Sequence, residues 1–511
     1  MLNLIDKIGD WNPQLFRELK GRLKKSYVAI ALFISLAPQI LILLLQFDTD
    51  KNEQVYLNFW KPDTWRMLFI SFNIIFIFML LVIGAYLIVN DLVKEERDGT
   101  LNFIRLSPQS ELSIFTGKML GVPALIYLMI IAAIPFHIFS GISGNIPFSS
   151  ILIFYTTLVA SCAFFYSLAC LFAIFGGTNL RVGKAWFASG LILSFLMISI
   201  VWMYADIYYF SVWFRIFSPI EMSYYLFSDL SIQYSSSGLK NLIVFNLPLG
   251  QDYFSLLALF LVNYGLCTYW IWQGLIRCFR NPNATLLGKR QSYLLVANFN
   301  FIHLGFLMHG GLTNKENFIA EITYLYIWNL VLFIVLFAMI LPHRLAIQDW
   351  ATFRLQKTPK NKILIKNSLL SELIFDEKTP GTLAIAVNLL IAASFAITLT
   401  LIKGNAFYES NSVNSAILIT ICIAFLINLI IPILIASILS LSISNTSDTD
   451  TTLWLFTIFF PIGFANTTII KALSVFTCQI AILALLNWYL IKKVQKLGES
   501  ATKAMFSQSK V

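Results

Sequence analysis

The densest group of ionisable side chains lies at residues 91–98, where four acids and two cations share eight positions. Crowded carboxylates can act as general acids and bases or can ligate a divalent cation. Such sites need carboxylates grouped with one another or with histidine, whereas cations interrupt this group and no His or metal-ligand grouping follows it. The pattern favours ion pairing with a neighbour. We expect no catalytic, metal-binding or cofactor-binding residue in this chain, which we predict is not an enzyme.

The sequence also lacks the phosphate-binding loop that ATP hydrolysis requires. ATP hydrolysis needs a Gly-rich loop of the form GxxxxGK[ST]. The Gly-Lys pairs, at 117–118, 183–184 and 288–289, are followed by Met119, Ala185 and Arg290 instead of Ser or Thr. If ATP drives this protein, the sequence predicts that a separate chain hydrolyses it.

His137 is the clearest ionisable residue inside the apolar segments. Ion-coupled carriers normally keep ionisable groups within the bilayer, where a proton relay or cation site requires them. A single histidine on an apolar helix favours a packed or hydrogen-bonded residue over a relay. An ion-coupled secondary transporter is therefore the weaker alternative, and a polytopic membrane enzyme is weaker still.

The amino-acid composition indicates whether these segments lie in water or in a membrane. The chain of 511 residues is 58% hydrophobic and 12% charged, against about 25% charged residues in soluble domains. Its apolar blocks have the length of about 17–25 residues that a membrane-spanning helix needs. We predict an all-α, polytopic integral membrane protein of about 12 (10–12) transmembrane helices. The predicted spans are 27–47, 67–90, 117–140, 150–175, 186–205, 253–276, 293–312, 319–342, 382–402, 415–443, 452–468 and 470–491.

Basic residues give the orientation, because cytosolic loops retain Lys and Arg during insertion. With both termini cytoplasmic, 28 of the 36 basic residues fall on the inner side. This arrangement requires the span at 293–312, since otherwise the basic loops around 319–342 would face opposite compartments. The net charge of +10 is then explained by orientation and by anionic headgroups, with no nucleic-acid partner.

Residues 1–26 predict a helix lying in the inner membrane interface. Asn12 can cap it, Pro13 suits its first position, and Trp11 can pack on Phe16. Leu15, Leu19 and Leu23 continue an apolar face, and cations occupy the rest of the cylinder. The alternative is a segment that only anchors the chain and orients it.

Residues 91–116 predict a helix, a corner, a short helix and a second corner. The second span can continue until Gly99, which readily takes a left-handed cap conformation, and Pro108 blocks continuation from the other side while Ser107 can cap a new helix. About two turns of helix fit between, with apolar side chains available for docking. A short rigid helix can transmit the motion of a partner to both adjoining spans, whereas the alternative is an ordinary interfacial turn.

These segments, in this order, resemble the ABC-2 type exporter permeases over roughly residues 12–290, six spans. The resemblance rests on the capped helix from Asn12-Pro13 to Lys25, on the run 95–101 ending in Gly-Thr-Leu, on 106–110 and on Gly117-Lys118. It implies a connecting helix with Leu15, Arg17, Leu19, Lys20 and Arg22. It also implies an ATPase-coupling helix with Glu95, Glu96, Arg97, Asp98, Gly99, Thr100, Leu101, Ile104, Leu106 and Pro108.

The same resemblance implies partners and a location. The partners are cytosolic ABC ATPase subunits that carry the ATP-Mg, a second copy of the chain or a related permease, and membrane lipids. The expected location is the bacterial plasma (inner) membrane. The expected activity is export by a permease subunit whose ATPase is a separate chain.

The predicted external segment, 206–252, fits the amphipathic helices that this family places between spans five and six. Ser218, Pro219 and Glu221 have the form of a capping box, with Phe217 and Met222 placed as a staple. The aromatic residues that follow, Tyr224, Tyr225 and Phe227, suit a membrane-interface belt. They are interpreted as anchors or as a substrate gate.

Residues 293–511 depart from the six-span pattern and form an additional membrane domain of about six spans with a basic cytosolic loop at 343–381. Gly381-Thr382-Leu383 repeats Gly99-Thr100-Leu101. This leaves open an internal duplication, which would make the chain a pseudo-dimer, or an accessory domain. Aromatic residues (45 Phe, 20 Tyr and 12 Trp) favour an amphipathic or lipid-linked cargo over an ion.

Overall fold

The computed structural model describes residues 9–44, 47–49, 55–57, 62–175, 183–203, 209–227, 238–282, 284–308, 315–342, 344–355 and 369–404. The chain divides into two compact units, Met1–Ile243 with Leu247–Pro282 and Val244–Asn246 with Asn283–Val511. Helices make up almost all of the described secondary structure. A short antiparallel ribbon, β1 (Phe47–Thr49) with β2 (Val55–Leu57), is the exception among these residues.

The first unit is a helical bundle whose elements follow one another with short connections. They are α1 (Pro13–Arg22), α2 (Lys25–Leu44), α3 (Pro62–Arg97), α4 (Thr100–Leu106), α5 (Glu111–Gly121), α6 (Ala124–Ser143), α7 (Phe148–Phe175), α8 (Lys184–Met203), α9 (Tyr209–Arg215), α10 (Pro219–Phe227) and α11 (Tyr253–Arg280). A 3-10 turn at Gly238–Asn241 precedes α11.

Six helices in the described part of the chain are long and apolar enough to cross a membrane, namely α2, α3, α6, α7, Lys184–Val201 within α8, and α11. They coincide with the first six predicted spans, so the chain is a multi-pass integral membrane protein. The second span belongs to a helix of 36 residues that ends at Arg97, in agreement with the predicted continuation until Gly99. One boundary was wrong. The third predicted span merges α5 with α6, which Val122 and Pro123 separate, because proline cannot donate the hydrogen bond that would continue α5.

A π-helical turn, Phe78–Ile83, interrupts α3 where it crosses the bundle. The hydroxyl of Tyr166 on α7 donates a hydrogen bond of 2.8 Å to the carbonyl of Leu80. Because a π-turn disturbs the regular backbone ladder, a carbonyl there can accept a side-chain donor. The contact ties α3 to the long helix α7 ahead of the segment that carries the charged residues.

The segment 209–227 is more deeply buried than an interfacial helix. α10 begins at Pro219 as predicted, but the side chains of the predicted capping box have other partners. The Ser218 hydroxyl pairs with Ser199 at 2.8 Å, and both carboxylate oxygens of Glu221 accept hydrogen bonds of 3.0 Å from Arg215. Tyr225 and Phe227 are also buried, because α10 packs against other helices. The aromatic belt predicted for these two residues is therefore wrong.

Burial and the guanidinium act in opposite directions on Glu221. Burial raises the pKa of its carboxyl group to about 7, and Arg215 opposes that rise. Neither side chain of the pair reaches solvent.

The described part of the second unit contains α12 (Lys289–Leu307), α13 (Lys315–Ile340), α14 (Arg344–Leu355), α15 (Leu369–Phe375) and α16 (Thr382–Gly404). The predicted spans 293–312, 319–342 and 382–402 overlap α12, α13 and α16. Asn300 and Asn329 exchange hydrogen bonds of 3.0 and 2.9 Å between α12 and α13. The last three predicted spans and the C-terminus lie outside the described residues, so the count of about 12 stays a prediction.

The repeated Gly-Thr-Leu triplet occupies different places in the two units. In the first unit Thr100 begins the seven-residue α4, whereas in the second Thr382 begins α16, a helix of 23 residues. The ammonium group of Lys289 donates to the Leu373 and Pro380 carbonyls and to the Thr379 hydroxyl, fastening the chain just before α16. The triplet therefore gives no structural support to an internal duplication.

Candidate functional site: an ion cluster beside a short helix

The N-terminal helix α1 packs against α5 at a distance that only glycine permits. A Cβ atom at Gly117 would lie 2.8 Å from the backbone nitrogen of Leu15, and one at Gly121 would lie 2.5 Å from the Cβ of Glu18. Both distances are shorter than real Cβ contacts. The two glycines are four residues apart and so lie on one face of α5. They form the groove in which α1 lies.

Asn12 fixes the start of α1 in that groove. Its Oδ1 accepts a hydrogen bond of 3.0 Å from the backbone nitrogen of Leu15, which is the predicted cap. Its Nδ2 donates one of 2.9 Å to the carbonyl of Ser113 on α5. One buried side chain therefore both caps α1 and attaches it to α5.

Lys118, which lies between the two glycines, is the centre of a buried ion cluster. Its ammonium group lies 2.8 Å from Glu18 on α1 and 2.7 Å from Glu95 on α3, and it also donates to Asp91 on α3. Its side chain is 1% exposed. An ammonium group has three donors, and here each of them meets a carboxylate.

Two arginines of α1 complete the cluster. Arg17 pairs with Glu95, and Arg22 pairs with Asp91 at 2.5 Å and with Glu18 at 3.3 Å. Three cations thus face three carboxylates. Glu18, Asp91 and Glu95 have the separations of a metal site, but the Lys118 ammonium occupies the position that a metal ion would take. The geometry is that of an ionic joint between α1, α3 and α5.

The two innermost charges are mutually stabilised. Burial alone lowers the pKa of Lys118, but the fields of Asp91, Glu18 and Glu95 outweigh it and raise that pKa above its ordinary value of 10.5. Burial alone raises the pKa of Glu18, but Lys118 and the arginines outweigh it and lower that pKa below 4.5. Both groups are therefore charged across the neutral pH range.

A sharp corner follows the cluster. α3 ends at Arg97, and Gly99 has a φ of 75°, a left-handed conformation that favours glycine over other residues. α4 then runs for seven residues, and Ser107 and Pro108 end it. The new helix is capped by Ser110, whose side chain accepts from the Ser113 nitrogen, and the prediction that Ser107 caps it was wrong.

α4 has one face inside the protein and one outside it. Leu101 and Ile104 are buried, while Phe103 is 77% and Leu106 is 84% exposed. Leu101 and Ile104, both expected among the exposed coupling residues, therefore hold α4 on the bundle. Phe103 and Leu106 are the apolar side chains that α4 offers to solvent.

The far end of this turn is fastened to α11, the sixth span. Arg280 pairs with Glu111 and donates 3.0 Å to the carbonyl of Gln109. The guanidinium of Arg105 on α4 lies 5.7 Å from the ring centroid of Phe279. α4 is therefore connected to α3, α5 and α11.

Part of this arrangement lies in a region that is similar to a known family. Residues 19–199 match the family model described as "ABC-2 family transporter protein". This part of the chain is similar to the ABC-2 type transporters. The matched residues include Asp91, Glu95, Lys118 and all of α4. The searches among curated proteins and solved structures returned no match.

Several of the expected site residues meet in the cluster and others do not. Arg17, Arg22 and Glu95 lie in it, and Leu15 is buried beside it. Lys20 is exposed and lies 5.4 Å from the Phe16 ring centroid. Arg97 pairs with Asp98 at 3.2 Å on the exposed corner. The expected external residues Ser218, Pro219 and Glu221 belong to the separate segment around α10.

Sequence reasoning missed Glu18 and did not assign Lys118 its role. Glu18 is one acid among the cations of α1, and a lone acid on a cationic, buried face is a signal of an ion pair. Its partner is one hundred residues away in the chain. Helical periodicity carries no information about contacts at that separation.

Proposed function

We propose that this permease is the membrane subunit of an ABC exporter in which a separate ATPase chain, carrying ATP and Mg²⁺, drives transport by moving α4. The observation that carries the proposal is the combination of a short, firmly mounted helix with two large apolar side chains exposed. Exposed aromatic and aliphatic side chains on a rigid support are typical anchors of a protein interface. The family match supports a transport role in general.

The second support is the stiffness of the mounting. Gly99, the Lys118 cluster and Arg280 fix both ends of α4 to spanning helices. A groove on a closing ATPase that holds Phe103 and Leu106 would therefore displace the spans and would not merely bend a loop. Binding energy shifts a two-state equilibrium only through such differential contacts.

The cargo is proposed to be amphipathic or lipid-linked. A groove of about 560 Å³ lies between α2, α3 and α6. Apolar side chains such as Pro38, Phe72 and Met129 line most of it, and Ser35 and Ser71 add hydroxyl groups. A surface of this kind suits an acyl or isoprenoid chain better than a hydrated ion. Two such six-span cores are expected to assemble, as a homodimer or with a related permease.

The test is recovery of the ATPase. The tagged chain is purified from its own membrane in mild detergent, and co-purifying chains that contain a Walker motif are identified by mass spectrometry. Replacing Phe103 and Leu106 together by serine is expected to weaken ATPase binding by up to roughly 1,000-fold and so to abolish its recovery, because interface anchors each contribute about 2 kcal/mol. The inserted amount of permease should not change.

The matched control replaces Phe148 and Leu247 by serine. Both side chains are similarly exposed, at 61% and 58%, but Phe148 begins α7 at the opposite end of α6 from α5. The control should recover the ATPase as the wild type does. Equal recovery with the Phe103→Ser/Leu106→Ser variant, or transport by the purified chain without any ATPase, contradicts the proposal.

A further inference from the structure

A second polar site lies at the same end of the bundle, between α3 and the start of α8. A cavity of about 300 Å³ is lined by Tyr86, Asn90, Lys94 and Arg97 from α3 and by Lys184 and Trp186 from α8. The α3 residues recur at intervals of three and four positions, so they lie on one helical face. The rings of Tyr86 and Trp186 lie 4.9 Å apart and form one wall.

The charge of this cavity is unbalanced. Three of the residues that line it are cations, and among its described lining residues none is acidic. Arg97 has Asp98 as a neighbour at 3.2 Å, but Asp98 does not line the cavity. The ion cluster around Lys118 is different, because there each cation meets a carboxylate. This cavity therefore attracts an anion.

Lys184 is the buried cation of this cavity that would gain most from a bound anion. It is only 2% exposed, and in the described part of the chain its hydrogen bond is a long one, 3.5 Å, to the carbonyl of Ala173. A buried ammonium group with three donors is costly unless it is paired. No other described contact neutralises it. An anion in the cavity would supply the missing acceptors.

The neighbouring aromatic residues place the cavity at the depth of lipid headgroups. Trp186 is 72% exposed and Phe187 is 58% exposed, and both lie in the first turn of a spanning helix. Tryptophan is enriched at the interface between hydrocarbon and water. Basic pockets between spanning helices at this depth suit anionic headgroups.

We propose that this cavity binds a phosphate group carried by an anionic phospholipid or by a small soluble phosphate. Lys184 and Lys94 contact the phosphate oxygens, Arg97 closes the open side, and Trp186 lies along the glycerol or acyl region when the ligand is a lipid. The site shares Arg97 with the expected coupling residues, whereas Lys94 and Lys184 are not among them, and it would hold a ligand in the isolated chain.

The test measures binding to the purified, delipidated full chain. Native mass spectrometry follows titration with phosphatidylglycerol, and phosphatidylcholine, whose headgroup has no net charge, serves as the matched lipid. Inorganic phosphate is the second arm, read by thermal unfolding. Lys94→Gln/Lys184→Gln should weaken phosphatidylglycerol or phosphate binding by roughly 25-fold, since each basic residue near an anionic surface contributes about fivefold. The charge-matched control is Lys24→Gln/Lys25→Gln, which removes two exposed cations.

The possible outcomes distinguish a lipid headgroup, a soluble phosphate and nonspecific attraction to the protein surface. Selective loss of phosphatidylglycerol binding in the cavity variant supports a lipid headgroup, and protection by inorganic phosphate alone supports a soluble phosphate. Equal losses in the cavity and control variants show nonspecific surface attraction and overturn the proposal, as does the absence of binding in both arms. Because Lys184 is buried and its variant can misfold, Lys94→Gln alone, at an exposed residue, must also weaken binding by roughly fivefold.

Discussion

The ammonium group of Lys118 lies 2.8 Å from the carboxylate of Glu18, which precedes it by one hundred residues. This contact attaches the N-terminal helix α1 to α5, which leads into the third span. The same ammonium group reaches Asp91 and Glu95 on α3. Three elements that flank α4 are therefore held together through a single buried nitrogen atom.

Replacing Lys118 by methionine should destabilise the protein by about 3–5 kcal/mol, because it leaves buried carboxylates without their central cation. The expected result is a lower midpoint of thermal unfolding in detergent and a smaller monodisperse fraction on size-exclusion chromatography. Lys20→Met is the control, since Lys20 is an exposed cation on the neighbouring helix α1.

If Lys118→Met and Lys20→Met unfold at the same temperature, the cluster contributes no stability. Combining Lys118→Met with Glu18→Gln should recover part of the loss, because it removes one of the carboxylates that the first substitution leaves unpaired. Strict additivity of the two effects would show that the two residues do not interact.

Gly117→Ala should destabilise the contact between α1 and α5 by about 1–3 kcal/mol. Alanine favours helix over glycine by about 1 kcal/mol, but its Cβ would lie 2.8 Å from a backbone nitrogen, which cannot rotate away. The measurement is the thermal unfolding midpoint, with Gly265→Ala as the matched change.

Gly265 lies inside α11, where an added Cβ atom would contact no neighbouring element of the described chain within 4 Å. Gly265→Ala should therefore leave stability unchanged or raise it slightly. A stabilising Gly117→Ala would mean that α1 does not approach α5 as closely as the structure has it.

Local chemistry predicted the ends of the elements better than their contacts. Asn12 with Pro13 and the corner at Gly99 were visible in the sequence, because capping and left-handed φ values depend on neighbouring residues. Ser107 and Ser110 both offered a cap, and nothing in their immediate neighbours decides between them. Pro123 ended α5 where hydropathy alone continued the span.

Hydrophobic periodicity could not predict which face of α4 is buried or which distant residues form ion pairs. α4 has only seven residues, and its apolar side chains point in several directions around it: Leu101, Phe103, Ile104 and Leu106. The apolar pattern therefore does not indicate which side of the helix is buried. The pairing of Arg215 with Glu221 likewise depends on how α9 and α10 pack. Capping rules consider only the local backbone and therefore assigned Glu221 to the wrong partner.

The ion cluster should weaken in acid. The pKa of Glu18 is lowered by folding, so its contribution to stability is complete above about pH 4.5 and is lost as the pH falls through the lower, folded value. The pKa of Lys118 is raised, so its contribution is complete below about pH 10.5 and is lost only as the pH rises above that value. Stability from the cluster is thus constant across the neutral range.

Unfolding midpoints of the wild type and of Glu18→Gln, measured from pH 7 downward, test this sign. The two proteins should differ at neutral pH and converge only as the pH falls through the folded pKa of Glu18, which lies below 4.5, because Glu18 is then protonated in both folded and unfolded chains. If the difference between the two unfolding midpoints persists unchanged at the lowest pH, Glu18 does not stabilise the cluster through its charge.

Replacing Glu96 and Arg97 together by glutamine tests whether the corner between α3 and α4 contacts an ATPase, without changing the stability of the protein. Arg97 is largely exposed and Glu96 is partly exposed, and neither pairs with Lys118. Surface changes of this kind alter stability by less than about 0.5 kcal/mol. The variant should therefore insert and unfold like the wild type, yet it should lose ATPase recovery and export if an ATPase contacts this corner.

Glu111→Gln is the contrasting change for the Glu96/Arg97 variant. Glu111 pairs with Arg280, so its loss should loosen the mounting of α4 and lower the unfolding midpoint without altering the exposed corner. Wild-type export and ATPase recovery in the Glu96/Arg97 variant would exclude the corner from the coupling surface. The exposed apolar side chains of α4, Phe103 and Leu106, would then remain as the proposed contacts of the ATPase.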